Sequence, residues 1–247
     1  MISIVTIHKG RYKDLLMTIE SVLFQNTPCD EYIVVASNLT IEQKDYVKLK
    51  STKVFLDVDV SLYDAMNIGL KACKGSHVLF LNSGDALIDS NVLSYCNNVV
   101  NDNKTIYIAP LVICLNKTCY LASAIGKHIS HGVTPRHQGF LAPISINKMY
   151  FNDSLNFWND GEWMDLYLAN YKSEVLHQPL VEFSFGGASS TPKFKNIFNL
   201  MNFSFFIAGK YFLKCLMYSV LPQDIYFFII MKINGHTLWK KNVFRRL

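Results

Sequence analysis

Residues 59 to 85 read Asp59-Val-Ser-Leu-Tyr-Asp-Ala-Met-Asn-Ile-Gly-Leu-Lys-Ala-Cys-Lys-Gly-Ser-His-Val-Leu-Phe-Leu-Asn-Ser-Gly-Asp85. A compact helix leads through Gly75 into the apolar run His77 to Leu81, which stops on Asn82-Ser83-Gly84-Asp85. An unbroken apolar run bounded by turn residues reads as a strand buried on both faces of a parallel sheet. Such sheets hold their ligands outside the carboxyl ends of the strands, so Asp85 stands where chemistry is expected. In the helix before it, Ala65, Gly69 and Ala72 fall near one face and permit close packing on the sheet. Gly75 suits the left-handed position that ends a helix.

Upstream, the pattern alternates. Ile2 to Ile7 predicts a strand, Tyr12 to Leu23 an amphipathic helix, Glu31 to Ala36 a strand, Ile41 to Lys50 a helix and Lys53 to Leu56 a short strand. Short links between such elements specify right-handed βαβ units on a mostly parallel sheet. The loop His8-Lys9-Gly10-Arg11 offers amides and two cations at a helix start, where phosphate could dock, although charges there are also ordinary solvated ones. Downstream, Val92 to Val100 predicts a helix, and Thr105 to Cys114 with Cys119 to Ala124 predict an antiparallel pair around Asn116-Lys117. Glu174 to Phe185 alternates as one strand.

Tyr63-Asp64-Ala65-Met66-Asn67-x-Gly69, Ala72-x-x-Gly75 and Phe80-Leu81-Asn82-Ser83-Gly84-Asp85 together resemble the GT-A-fold glycosyltransferases of family 2, in particular the bacterial surface-polysaccharide branch of the colanic acid and O-antigen type. The resemblance implies an α/β fold, a Rossmann-like and mostly parallel sheet flanked by helices. It also implies that the acidic motif ending the strand holds Mg²⁺ or Mn²⁺ on the diphosphate of a nucleotide-sugar. Only Asp85 keeps the carboxylate of that motif; Asn82 or Ser83 stands at the first acidic position and is expected against the donor. Asp57 and Asp59 match the family's acidic pair, a donor contact, yet Asp also favours turns and helix caps on its own account. The resemblance turns Asp64 and Asn67 toward the donor and leaves Tyr63 and Met66 to packing. It falters at Ala36-Ser37-Asn38, where the family carries an Asp; Ser37 or Asn38 would have to substitute.

Arg136-His137-Gln138 matches a His-Gln pair of the same branch, which places His137 near the donor diphosphate or the acceptor. His128, His131 and His137 fit no standard metal spacing. In Asn159-Asp160-Gly161-Glu162-Trp163 the bland reading of Asp160 is a helix N-cap. The resemblance makes it the general base that draws the proton from the acceptor hydroxyl in an inverting transfer, with Glu162 able to orient that hydroxyl and Asp165 a helix-surface charge. Gly186-Gly187-Ala188-Ser189-Ser190 matches a loop closing over donor phosphates.

At 247 residues and 28.2 kDa the chain suits one α/β domain with an appendage. We expect residues 1–190 to form the GT-A domain, 1–103 binding the nucleotide-sugar and 104–190 the acceptor, and residues 191–247 an aromatic and basic helical extension. A composition 50% hydrophobic and 17% charged excludes disorder. The net charge of +5 comes with no basic motif for nucleic acid. Six scattered cysteines predict reduced thiols and no disulfide, even for Cys114 and Cys119 across their hairpin. The N-terminus lacks the pattern of a signal peptide, and no stretch of about 20 residues is free of charge. Aromatic residues beside lysines after Phe194 suit helices lying on a membrane surface, or helices completing the core.

The expected function is therefore an inverting transfer from a nucleotide-sugar, probable donor class UDP-sugar, to a lipid-linked glycan at the cytosolic membrane face. The alternative is a catalytically inactive GT-A-like binding or scaffolding subunit. A sugar nucleotidyltransferase would need a Gly-rich, Arg- and Lys-containing N-terminal loop that the sequence lacks.

Overall fold

The computed structural model describes residues 1–124, 126–128, 132–134, 136–144, 150–152, 159–186, 192, 194, 197 and 205–239. Strands β1 (Ile2–His8), β2 (Glu31–Ala36), β3 (Lys53–Leu56) and β4 (His77–Phe80) alternate with helices α1 (Tyr12–Leu23), α2 (Ile41–Lys50) and α3 (Leu62–Ala72). There follow β5 (Ala86–Leu87), α4 (Val92–Val99), β6 (Thr105–Ile108), β7 (Leu111–Leu115), β8 (Thr118–Ala122), β9 (Gly126–His128), β10 (Gly132–Thr134) and β11 (Phe140–Pro143). The chain continues through α5 (Asn159–Asn170), β12 (Lys172–Val175), β13 (Val181–Ser184), α6 (Phe205–Val220), α7 (Gln223–Ile233) and β14 (Thr237–Trp239).

The main sheet runs β12-β6-β11-β4-β1-β2-β3. Strands β4, β1, β2 and β3 are parallel, and β11 runs antiparallel to both β4 and β6. Because β2 and β3 lie on one side of β1 and β4 on the other, the strand order reverses between β1 and β4, and a crevice opens at their carboxyl ends. Alternate residues feed two cores. Ile4 and Val34 meet Leu15, Ile19 and Val22 of α1 on one face, while Val5, Ile33 and Val35 meet Ala65, Met66 and Leu70 of α3 on the other. The small-residue face of α3 is needed there, since a Cβ on Gly69 would fall 2.3 Å from Val5 Cγ1.

A second sheet, β14-β8-β7-β13-β5, carries α7, whose Tyr226, Phe227, Ile230 and Met231 are buried against Leu111, Ile113 and Tyr120. The C-terminal segment is thus stitched to the domain twice, by α7 and by β14 pairing with β8.

Four expectations are corrected. Gly75 is absent from the left-handed residues; it is required by space, because a Cβ would sit 2.6 Å from Ser3 Oγ and 2.9 Å from the Met1 carbonyl oxygen. The run Thr105 to Cys114 divides at Pro110 into β6 and β7 of different sheets, and Glu174 to Phe185 divides around Pro179 into β12 and β13. Proline lacks the N–H a ladder needs, which makes each a natural breakpoint. Cys114 and Cys119 are joined as a disulfide, the tight hairpin having placed them directly opposite one another.

Buried histidine also ties the fold to pH. His77 of β4 is fully buried, with Nε2 2.8 Å from the Thr105 carbonyl oxygen. Burial holds its pKa below the ordinary 6.5, only partly opposed by that carbonyl. The unfolded chain therefore takes up a proton that the native one refuses, and stability is lost as pH falls below about 6.5, at up to ~1.4 kcal/mol per pH unit. Urea unfolding between pH 7.5 and 5.5 should show this decline and His77→Gln should flatten it; an unchanged slope would assign the loss to other groups, such as buried His8.

Candidate active site

The crevice gathers polar atoms that the protein itself leaves unpaired. His8 ends β1, Ser37 follows β2, and Asn82 and Asp85 follow β4. His8 Nε2, Ser37 Oγ, Asn82 Oδ1 and Asp85 Oδ2 are buried without a partner among the described residues. Buried polar groups are rarely left so, and four of them at the carboxyl edge of adjacent central strands mark a place where a ligand completes the bonding.

The turn after β4 is held rigidly. Gly84 adopts φ +103, a conformation open to glycine at no cost, and its N–H donates to Thr18 Oγ1 at 3.0 Å. Thr18 Oγ1 also lies 2.7 Å from the Asp85 carbonyl oxygen, and Ser184 Oγ donates to the Gly84 carbonyl at 2.7 Å. Ser83 Oγ is 2.9 Å from His8 Nδ1, which joins the ends of β4 and β1. Burial pushes the Asp85 carboxyl up to about 7, against the pull of His137 and of the Ser184 and Asn82 amides.

Asp160 reaches the crevice from the far half of the chain. It lies in the first turn of α5, and one turn on, Trp163 is 2% exposed, stacked on Phe151 at 4.6 Å between centroids. Phe80 of β4 and Phe140 of β11 meet the same indole edge-on at 5.7 and 5.6 Å. This aromatic nest fixes the start of α5 beside the end of β4. His137 Nδ1 lies 3.0 Å from Asp160 Oδ2, and His137 Nε2 lies 3.3 Å from Asn82 Nδ2. With Nδ1–H donating to the carboxylate, Nε2 is free to accept from the Asn82 amide. Tyr63 OH stands 3.5 Å from Asp160 Oδ1. Burial would raise the Asp160 pKa, but the hydrogen bond from His137, with the amides of Gly161 and Asp160, holds it below the ordinary carboxylate value. Asp160 is therefore an ionised carboxylate, partly open to solvent and joined through His137 to Asn82 at the end of β4.

A divalent cation fits these donors in kind. Asp85 Oδ2 and Asn82 Oδ1 are oxygen atoms lacking partners, as hard cations require. Among the described residues no group of three or more His, Cys, Asp or Glu converges to hold a metal, so the remaining ligands would come from phosphate and water.

The other expected donor contacts stand further out. Asp57, at φ +58, pairs with Lys44 at 2.7 Å, and Asp59 pairs with Lys9 at 2.5 Å; both carboxylates are exposed at the rim. Asp64 is half-buried and is bonded to Ser61 across the start of α3. Asn67 exchanges both amide bonds with the Phe151 backbone, at 2.9 and 2.8 Å. Asn67→Ala should cost about 1–3 kcal/mol in a denaturant melt, because two backbone groups lose their partner; unchanged stability with weakened nucleotide binding would return Asn67 to the donor site. Residues 187–190 of the Gly-rich loop, together with His131, lie outside the described residues. His8, named from the sequence only as part of the His8-Lys9-Gly10-Arg11 loop, and Tyr63, assigned there to packing, both reach the site. The only signal for His8 was its position at the end of the first strand, and for Tyr63 its helical offset from Asp64 and Asn67.

No family model and no curated protein matches the chain. Solved structures do. S. aureus TarS, residues 1–349, superposes with a TM-score of 0.58 at 14% identity, over 74% of this chain and 60% of that one. TarS 1–349 in complex with UDP-GlcNAc gives 0.56 at 14% identity, over 76% and 60%. The mannosyltransferase PcManGT from Pyrobaculum calidifontis, in complex with GDP-Man and Mn²⁺, gives 0.55 at 11% identity, over 77% and 58%. The chain thus spans about 60% of the length of these solved chains. At such identities the likeness is one of fold, and the fold is the GT-A type of α/β architecture seen in these glycosyltransferases.

Proposed function

We propose that the chain is an inverting family 2 glycosyltransferase of the bacterial surface-polysaccharide type, moving a sugar from a nucleotide-diphosphate donor, a UDP-sugar by first choice, to a lipid-linked oligosaccharide. The observation that carries this reading is the convergence of the unpaired Asn82 and Asp85 oxygens with the ionised Asp160 in one crevice. Neighbours of the same fold bind UDP, UDP-GlcNAc and GDP-Man, which supports a nucleotide-sugar as donor.

In this reading Asp160 takes the proton of the acceptor hydroxyl as that oxygen attacks the anomeric carbon from behind. The new C–O bond forms while the bond to the diphosphate breaks, and the electron pair leaves with the nucleotide. His137 holds Oδ2, leaving Oδ1 toward the acceptor, and Tyr63 stays a neutral phenol because burial and the Asp160 charge raise its pKa. Ser37 and His8 offer their unpaired atoms to the nucleotide where the family's carboxylate is missing. A Mg²⁺ or Mn²⁺ held by Asp85 and Asn82 would neutralise the diphosphate and make it a better leaving group.

The C-terminal helices support a place on the inner face of the cell membrane. Phe212, Leu213, Leu216 and Val220 of α6 and Ile225, Phe228 and Ile233 of α7 are exposed, with Lys210 and Lys232 beside them. Rings and aliphatic groups next to cations suit the headgroup boundary. Among the described residues no helix is long and apolar enough to cross a membrane. A mass-spectrometric screen of sugar-nucleotide consumption, with Mn²⁺ and membrane extract as acceptor, tests the whole reading. Consumption of one nucleotide-sugar supports it, whereas nucleotide binding with no turnover for any donor favours the inactive subunit.

A further inference from the structure

Arg136 immediately precedes His137, but its guanidinium turns to a different set of partners. Nη2 lies 3.2 Å from Nε2 of His236, in the turn between α7 and β14. A guanidinium only donates, so His236 Nε2 carries the lone pair and its ring is neutral, with the proton on Nδ1. Lys214 of α6 brings a second charge against Arg136, and Lys210, one turn earlier on that helix, adds its own. None of the ion pairs among the described residues gives Arg136 or Lys214 a carboxylate. Arg136, Lys214 and His236 are all partly buried. Burial holds Arg136 below its usual value; burial first, and then the charge of Arg136, lowers Lys214 and pushes His236 down to about 4.

The sequence around these groups is poor in acids. Residues 103–152 contain no Asp or Glu, and from residue 183 onward nine Lys and Arg accompany a single acid, Asp224. That acid is engaged elsewhere, accepting from Asn116 Nδ2 at 3.2 Å. Three segments far apart in the chain thus bring cationic or donor groups together, and a partly buried guanidinium without an anion is costly to keep. We propose that Arg136, Lys214 and His236 form an anion site, separate from Asp85, that binds a phosphate or diphosphate group. Arg136 supplies the planar donor fork, Lys214 a mobile charge and His236 an N–H. The phosphate comes either from a nucleotide or from a phospholipid-type acceptor, and the site does not depend on the transferase reading.

Calorimetry in EDTA, which removes any cation from Asp85, tests this with the full-length protein and three probes: inorganic pyrophosphate, UDP, and phosphatidylcholine vesicles with and without phosphatidic acid. Pyrophosphate should bind, and Arg136→Gln or Lys214→Gln should each weaken it about tenfold, the size of a lost charge-assisted bond. Arg136→Lys should restore part of it, with circular dichroism confirming that each variant is folded. Lys172→Gln removes an equal charge at an exposed position on β12, away from α6 and α7, and should change nothing. Parallel loss of UDP binding assigns the phosphate to the nucleotide; parallel loss of phosphatidic acid binding alone assigns it to the lipid. Equal weakening by Lys172→Gln would show diffuse attraction, and no weakening by Arg136→Gln and Lys214→Gln would show no site; either result overturns the proposal.

Discussion

Asp160→Asn is expected to lower sugar transfer by about 10² to 10⁴ while leaving nucleotide affinity close to that of the native protein. The amide is nearly the same size as the carboxylate and can still accept from His137 Nδ1, which now lies 3.0 Å from Oδ2. What is lost is the lone pair able to take the acceptor proton. The carboxylate is suited to that task because His137 keeps it ionised despite its surroundings. Single-turnover assays with saturating donor separate the chemical step from binding. Full transfer by the asparagine variant would remove Asp160 from the base role and turn attention to His137, which with Tyr63 is a titratable side chain bonded to it among the described residues.

Trp163→Ala should cost about 3–5 kcal/mol, the range for deleting a large buried aromatic group. Domains of this kind are stable by only about 5–15 kcal/mol, so the variant should sit near the edge of folding at moderate temperature. The indole touches Phe80, Phe140, Phe151 and Tyr167, and each contact would be replaced by void. Trp163→Phe keeps most of that packing and should cost roughly 1–3 kcal/mol. Guanidinium melts of both variants measure the effect. An alanine variant as stable as the native protein would mean that α5 is anchored by something other than this nest.

The parallel half of the fold could be read closely from the chain because its signals are local. Strands such as Ile2–His8 and Glu31–Ala36 announce themselves by apolar runs, and α1 by its spacing. The second sheet was harder to see. Its strands pair across long separations, β5 with β13 and β8 with β14, and its boundaries fall at Pro110 and near Pro179 inside runs that look continuous. For the site, Asp85 and Asp160 were legible through a resemblance in spacing, but the bond partners that set their chemistry were not. Nothing in the local sequence says that His137 would stand between Asn82 and Asp160, or that the Asn67 amide would be taken up by the Phe151 backbone. The four unpaired atoms of the crevice come from three separate strand ends, and only the assembled sheet brings them together.

The order in which these pieces leave the ribosome matters for how the protein is made. The seven-stranded sheet has all its members once residue 175 is synthesised, whereas the five-stranded one begins at residue 86 and is not complete until residue 239. The edge of β8 must therefore wait, unpaired, through the synthesis of more than a hundred residues before β14 arrives to cover it. An exposed strand edge is prone to pair with another chain, so slow translation or a stop before β14 should favour aggregation of nascent protein far more than it disturbs the seven-stranded sheet.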